Sequence, residues 1–436
     1  MKITFIRPNM NARKASDALQ PLVFALLAGL TPPDIETTLY DDRIEDIPFD
    51  EPTDLVAMTV ETFSAKRAYD IAARYRKRGV PVVMGGFHPT LVPKEAAQHA
   101  TTIVVGDAES IWPQLIADFQ QGRLQPTYRA TALPSSLNIF FDRRMFEGKS
   151  YPPLSLVQWG RGCPHQCEFC SIHAMYDTYQ YQRPIDDVIT EVEALDSQWL
   201  FFVDDNLFAY TKQFTRLLEA LKPLHLHWSC QISLEVSYDK TLMTLLEQSG
   251  CQAVLIGFES LQLSNLRQMN KLWNVSKLDY ATAIKRFYDH GIMVCGTFVL
   301  GYDDDTPDSF EQCFDFALTH KLFLSNFNPL TPFPGTPLYR RLQQEGRLIR
   351  ENWWLDEHYQ YGQAVFHPKQ MSAEELEQGC FDARRRFNTR ASILQRAFHL
   401  KANMRNWRNA VFHCAANMIN RKEVLRKQGA FLGEHF

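Results

Sequence analysis

The chain has 436 residues, 45% hydrophobic and 22% charged, a profile of a folded soluble protein with two or three domains and a core large enough to need no disulfides. A net charge of −4 is mild and gives no reason to expect a nucleic-acid partner. It hides an asymmetry: from Arg384 onward lie 12 of the 46 basic residues but only two of the 50 acidic ones.

The opening stretch, M-K-I-T-F-I-R-P-N, has no long apolar run before a small-residue cleavage site and reads as a first strand. No uninterrupted apolar stretch approaches the ~18 residues that span a bilayer; P-L-V-F-A-L-L-A-G-L at 21–30 is far too short. A cytoplasmic chain with reduced thiols is expected, in which clustered cysteines mean metal or catalysis. Over residues 1–125, strand patterns at 2–8, 37–42, 55–60, 80–86 and 102–107 alternate with helical runs near 19–30, 65–79, 94–99 and 109–121. The alternation predicts a Rossmann-like parallel sheet with helices on both faces. Such sheets bind ligands at the carboxyl ends of their strands, here E-T-F-S (61–64), G-G-F-H-P-T (85–90) and G-D-A-E (106–109).

Residues 126–152 are rich in Pro, Ser and Arg, lack periodicity and are expected to be a linker. From 153 to 335, strand patterns recur at 154–160, 199–205, 226–233, 252–260, 292–301 and 322–330, with helical patterns between them. Six such units in a row predict a partial (β/α)6 barrel of TIM type, with its site at the strand C-terminal ends. There Trp159, Tyr176, Tyr302 and Asn328 are candidates for the mouth. Residues 336–436 are expected to be mainly helical, ending in the basic tail.

Cys163, Cys167 and Cys170, spaced C-x3-C-x2-C, follow the first barrel strand. Thiolates are soft ligands for zinc, copper(I) or iron–sulfur clusters. A structural zinc site needs four protein ligands; the other six cysteines stand singly, which leaves His165 and His173 to complete one. The better reading is a four-iron cluster held by three cysteines, with one iron open to a small molecule.

This spacing, with Phe169 before the last cysteine on a loop after strand one, resembles the radical S-adenosylmethionine superfamily. The resemblance implies a [4Fe-4S] cluster on Cys163, Cys167 and Cys170 whose open iron takes the amino and carboxylate groups of S-adenosylmethionine. Electron transfer then yields a 5′-deoxyadenosyl radical. Asp204, Asp205 and Asn206 stand where the family carries two glycines and a glutamate for the methionine amino group. Carboxylates can pair an ammonium, although either aspartate could equally cap a helix. Glu259 and Ser260, closing strand four, resemble contacts to the bound cofactor. G-T-F-V-L-G-Y-D-D (296–304), with Gly296 and Phe298, resembles the strand-five motif beside its adenine, where the plain alternative is barrel core.

The domain order, with M-G-G-F-H-P-T (84–90) and V-V-G-D-A-E (104–109), resembles the cobalamin-binding subgroup of that superfamily. It implies Glu61, Ser64, Gly85, Gly86, His88 and Gly106 around a cobalamin. Glycines let backbone approach a flat macrocycle, whereas a lone loop histidine such as His88 is more often structural. N-M-N-A-R-K-A (9–15) lacks the Asp-x-His-x-x-Gly segment that ligates cobalt. The C-terminal part, through P-L-T-P-F-P-G-T-P-L-Y-R-R-L (329–342) and M-S-A-E-E-L-E-Q-G (371–379), resembles the branch containing hopanoid C-2 methylases. The implied activity is methylation of an unactivated carbon of a hydrophobic or secondary metabolite, a small-molecule substrate that could be lipid-like, with a reductant such as flavodoxin or ferredoxin. The alternatives are a cobalamin-independent radical rearrangement, cyclisation or group transfer, and a non-catalytic metal-binding regulator. A methylthiotransferase is disfavoured because no cysteine precedes Cys163. The basic tail, interleaved with Phe387, Leu394, Phe398, Trp407, Val411 and Phe412, is a helix pair packed on the barrel, a peripheral membrane contact or a nucleic-acid contact.

Overall fold

The computed structural model describes residues 1–130, 140–209, 211–275 and 279–433. Strands β1 (Lys2–Arg7), β2 (Glu36–Asp41), β3 (Leu55–Thr59), β4 (Val82–Gly85), β5 (Thr102–Val105) and β6 (Thr127–Arg129) form one sheet. Its order is β2-β1-β3-β4-β5-β6, and every neighbouring pair is parallel. Parallel strands are buried on both faces, which is why these read as short apolar runs. The order reverses at β1, so a crevice opens beyond the carboxyl ends of β1 and β3. The helix Ala65–Lys77 shows the packing logic: Ala68, Tyr69, Ile71, Ala72 and Tyr75 form its buried face at helical spacing. Gly79 ends it at φ +78°, where a side chain would be strained.

The stretch 126–152 is more structured than a linker. It supplies β6 to the edge of the sheet, and a turn of 3-10 helix at Arg143–Phe146 packs Phe146 beneath it. Residues 131–139 lie outside the described residues.

The second sheet begins with β7 (Ser155–Val157). A small antiparallel ribbon, β8 (Gly160–Arg161) with β9 (Tyr181–Gln182), frames the cysteine loop. Then β10 (Trp199–Phe202), β11 (His227–Gln231), β12 (Cys251–Glu259), β13 (Met293–Leu300) and β14 (Leu324–Pro329) line up beside β7 in chain order. All five pairings are parallel, giving the expected partial barrel. The register slips between Gly257 and Glu259, and Glu259 turns left-handed at φ +62°. A slip of this kind re-aims a side chain at a strand end.

The C-terminal extension binds both sheets. Trp353, Trp354 and Tyr359 are buried in one cluster with Met58 and Met84 of the first sheet and Tyr69 of the helix that covers it. The helix Ala373–Phe387 sends Leu376, Cys380, Ala383 and Phe387 into the barrel core. A reciprocal cap between Ser372 and Glu375 fixes its start. Among the described residues no helix is long and apolar enough to cross a membrane.

Candidate functional site

The cysteine loop leaves β8 through Gly162 at φ +83°, where a Cβ would lie 2.1 Å from the Tyr179 carbonyl oxygen. Only glycine fits that turn. The Cys170 amide then donates to the Cys167 carbonyl at 3.1 Å. Burial pushes all three thiols up, Cys167 to about 12. Each also feels the charge of another cysteine of the loop or of Asp205, and the ammonium of Lys271 works against the rise at Cys167 and Cys170. Thiols placed this way ionise when a metal takes the proton's place. Among the described residues no three His, Cys, Asp or Glu side chains converge tightly enough to hold a single ion. His165 stacks on Trp273 with centroids 3.4 Å apart, and His173 faces Asp177. Three neighbouring soft sulfur donors therefore fit a multi-iron cluster better than one zinc.

The Asp-Asp-Asn turn after β10 meets this loop, with a different task for each residue. Asp204 is buried; its oxygens accept the Trp159 amide at 3.1 Å and the Gly160 amide. Burial pushes its carboxyl up to about 7. It ties β10 to the root of the cysteine loop. Asp205 accepts the Gly162 amide at 2.8 Å and lines the central cavity. Asn206 accepts the Ser233 amide at 3.0 Å and brings its Nδ2 to 3.9 Å from the Cys163 sulfur.

At the end of β12, Glu259 accepts from Lys271 Nζ at 2.8 Å, both side chains being nearly buried. A Cβ on Gly257 would stand 2.1 Å from Glu259 Oε1, so the glycine makes room for this pair. Ser260 Oγ accepts the Gln262 amide at 3.1 Å. Gly296 and Phe298 lie in packing: a Cβ on Gly296 would meet Leu322 at 2.7 Å, and the Phe298 ring is sandwiched by Phe258 and Phe327 at 5.6 Å each. The plain core alternative describes both. Phe169 turns its ring edge-on to Tyr302, 6.5 Å away.

Between the two sheets' carboxyl ends lies a cavity of about 360 Å³, lined among others by Gly85, Gly86, Gly106, Asp205, Tyr176 and Glu61. Its wall is largely apolar, including Leu22, Val23, Leu26 and Met58. Gly86 and Gly106 are both left-handed, at φ +99° and +86°, and the Gly106 amide donates to Thr90 Oγ1 at 3.0 Å. Glu61 pairs with Arg7 at 2.9 Å. A second cavity of about 230 Å³ adjoins it and shares Arg7, Thr59 and Glu61; Ser64 lines this one. Glycine-edged strand ends beside a largely apolar cavity fit a large flat cofactor. His88 does not face either cavity. Fully buried, it contacts Tyr69 and Glu95 at 3.0 Å and is edge-on to Trp354, a structural histidine.

Three features escape the sequence patterns. Arg161 crosses from the barrel to the first sheet, reaching Asp107 at 3.1 Å and Glu109 at 2.5 Å, while Tyr176 donates to Asp107 at 2.9 Å. Burial pushes the Asp107 carboxyl up and Arg161 opposes it. Lys271 is the second, and the contact of Glu168 with the C-terminal extension is the third. The adjacency of Arg161 to the cysteine loop and of Asp107 to Gly106 was the available signal.

A three-thiol loop on a parallel partial barrel, facing a doubly wound sheet across a shared cavity, is the arrangement of an iron–sulfur enzyme. The model of the radical SAM superfamily matches residues 157–317, and that of a domain of unknown function, DUF4070, matches 336–430. The chain is 31% identical over 389 residues to a bacteriochlorophyllide d C-12(1)-methyltransferase of Chlorobaculum tepidum, covering 86% of this chain and 84% of that one. It is 24% identical to a hopanoid C-2 methylase of Rhodopseudomonas palustris, covering 77% and 66%. The solved structure of the radical S-adenosylmethionine methyltransferase TsrM from Kitasatospora setae, with cobalamin and a [4Fe-4S] cluster bound, superposes with a TM-score of 0.64 at 17% identity, covering 87% of this chain and 81% of that one. The protein belongs to the radical S-adenosylmethionine superfamily, and the relatives it matches over most of its length are methyltransferases. It is an enzyme whose family uses S-adenosylmethionine and a [4Fe-4S] cluster.

Proposed function

We propose that the protein is a cobalamin-dependent C-methyltransferase acting on an unactivated carbon of a hydrophobic, lipid-like small molecule. The observation that carries this is the apolar cavity walled on one side by Gly85, Gly86 and Gly106 and on the other by Asp205 and Tyr176 beside the cysteine loop. When bound, the cluster and S-adenosylmethionine supply a hydrogen-abstracting radical, and cobalamin supplies the methyl carrier.

The chain's own residues hold and orient. Cys163, Cys167 and Cys170 would be the cluster ligands, with Asn206 Nδ2 steadying the Cys163 sulfur. Asp205 and the Glu259–Lys271 pair stand beside them as candidates for the amino and carboxylate ends of S-adenosylmethionine. Arg161, locked to Asp107 and Glu109, ties the barrel to the first sheet across the cavity. In this reading residues 1–125 hold cobalamin, 153–335 run the radical chemistry, and 336–436 brace both. A one-electron donor such as flavodoxin or ferredoxin would serve as reductant.

The test is anaerobic purification followed by iron, sulfide and corrinoid analysis, then a product assay with methyl-labelled S-adenosylmethionine. The expected result is both cofactors, with 5′-deoxyadenosine formation abolished by Cys167→Ala. A full cluster with no corrinoid under any reconstitution overturns the methylation reading and leaves the cobalamin-independent reactions.

A further inference from the structure

The helix Trp407–Lys427 is built inside out. Its buried positions are Asn409, His413, Asn417 and Glu423, all polar. All four bond to the protein they cover: Asn409 Nδ2 donates to the Ala402 carbonyl at 2.8 Å, Asn417 Nδ2 to the Phe323 carbonyl at 3.1 Å, His413 Nε2 contacts the Ile393 carbonyl at 3.3 Å, and Glu423 accepts from Ser16. The outward face is apolar. Trp407 is 70% exposed, Val411 57%, Met418 50% and Leu425 53%, and their spacing of four, seven and seven residues places them along one stripe. Phe398 and Leu400, in the turn leading into the helix, are exposed to 64% and 76%. A helix paired with water alone would carry the opposite arrangement, and a continuous exposed apolar strip marks an interaction surface.

Charge selects the occupant. Arg408 and Lys422, on the same helix, are exposed beside the strip and have no carboxylate partner among the described residues. The helix's single acid, Glu423, faces inward and is paired with Arg426. A second copy of the chain meeting this face about a two-fold axis would set these like charges against each other. A nucleic acid has no use for Val411, Met418 and Leu425. An apolar strip about 30 Å long with free cations along it fits an anionic lipid surface.

We infer that the outer face of Trp407–Lys427 docks the enzyme on an anionic membrane, with the helix lying in the plane of the headgroups. The inference is independent of the reaction proposed for the cavity. The far end of the helix carries Arg426 and Lys427, which line the smaller cavity. A molecule dissolved in the bilayer therefore meets the protein close to the crevice that adjoins the central one.

The test is flotation of the purified full chain with vesicles of phosphatidylcholine alone or mixed with phosphatidylglycerol. Binding is expected only to the mixed vesicles at ~0.1 M salt, weakening at ~0.5 M. Val411→Ser with Met418→Ser and Leu425→Ser, or Arg408→Glu with Lys422→Glu, is expected to cut the bound fraction about tenfold, with cluster content unchanged. Quenching of wild-type fluorescence by brominated lipid, lost in Trp407→Phe, reads the same contact without altering the strip. Failure of the wild-type chain to float with anionic vesicles overturns the inference. A concentration-dependent dimer dissolved by the serine variant, without flotation, overturns it in favour of a second copy.

Discussion

Glu168, the residue between Cys167 and Phe169, is held by Arg341 of the C-terminal extension, with Arg341 Nε 2.5 Å from Glu168 Oε1. The same guanidinium reaches Asp303 at 3.3 Å, where Arg347 and Lys369 also converge at 2.8 and 2.6 Å. The backbone of Glu168 is tied as well: its amide donates to the Met269 carbonyl and its carbonyl accepts the Leu338 amide, each at 3.1 Å. The cysteine loop is thereby strapped to the ends of the barrel strands and to a helix 173 residues further along.

Arg341→Met should loosen that loop and lower the iron bound per chain after reconstitution, while Arg341→Lys retains part of it. A charged hydrogen bond of this type is worth about 1.5–3 kcal/mol. Iron and sulfide analysis with the cluster's electron paramagnetic resonance signal reads the effect; unchanged loading and signal in Arg341→Met would show the strap to be dispensable.

Lys271→Met leaves the Glu259 carboxylate buried without its cation, a change worth roughly 3–5 kcal/mol. Glu259→Gln removes the charge that needs compensating. The double variant should therefore be more stable than Lys271→Met alone, in a thermal melt of all four forms. Both single variants should bind S-adenosylmethionine more weakly by calorimetry on the reconstituted enzyme.

Two glycines at nearly the same φ separate conformational strain from collision. Gly79→Ala, with nothing within 4 Å of the new Cβ, should cost only about 1–2 kcal/mol of left-handed backbone. Gly162→Ala drives a Cβ to 2.1 Å from the Tyr179 carbonyl and should cost more and lower cluster loading. Equal melting temperatures for the two variants would contradict this ordering.

Burial alone would push the Glu423 carboxyl up, but hydrogen bonds from Arg426 and Ser16 hold it at about 2, below its ordinary value of 4.5. A depressed carboxyl stabilises the fold above its unfolded pKa and loses that contribution as pH falls towards the folded value. Wild-type stability should therefore drop between about pH 4.5 and 2 by an amount that Glu423→Gln does not show. Melting curves across that range, compared at the same salt, check it.

The barrel and the doubly wound sheet were legible because buried parallel strands are short apolar runs, and their order follows chain order in the barrel. The cysteine loop was legible because its ligands are local, three sulfurs within eight residues. Residues whose roles depend on which way a side chain turns were harder to place. Phe298 sits on a strand that alternates between faces, and nothing in G-T-F says that its ring stacks between Phe258 and Phe327. His88 follows two glycines at a strand end, yet its ring points back among Tyr69, Glu95 and Trp354. β6 is three residues, Thr-Tyr-Arg, too short and polar to carry a period. The inverted polarity of Trp407–Lys427 appears only once the barrel carbonyls under Asn409 and Asn417 are in view.

The Trp353–Trp354 pair has a consequence for how the enzyme takes up anything bulky. These rings are sunk in the first sheet's face, while Leu376 and Phe387 a few turns later are sunk in the barrel. Prising the halves apart would tear one set or the other from its core, and losing a single such aromatic is worth roughly 3–5 kcal/mol. The molecule is hasped shut across its own cleft, so large guests must enter by the rim or arrive before the last hundred residues close over the seam.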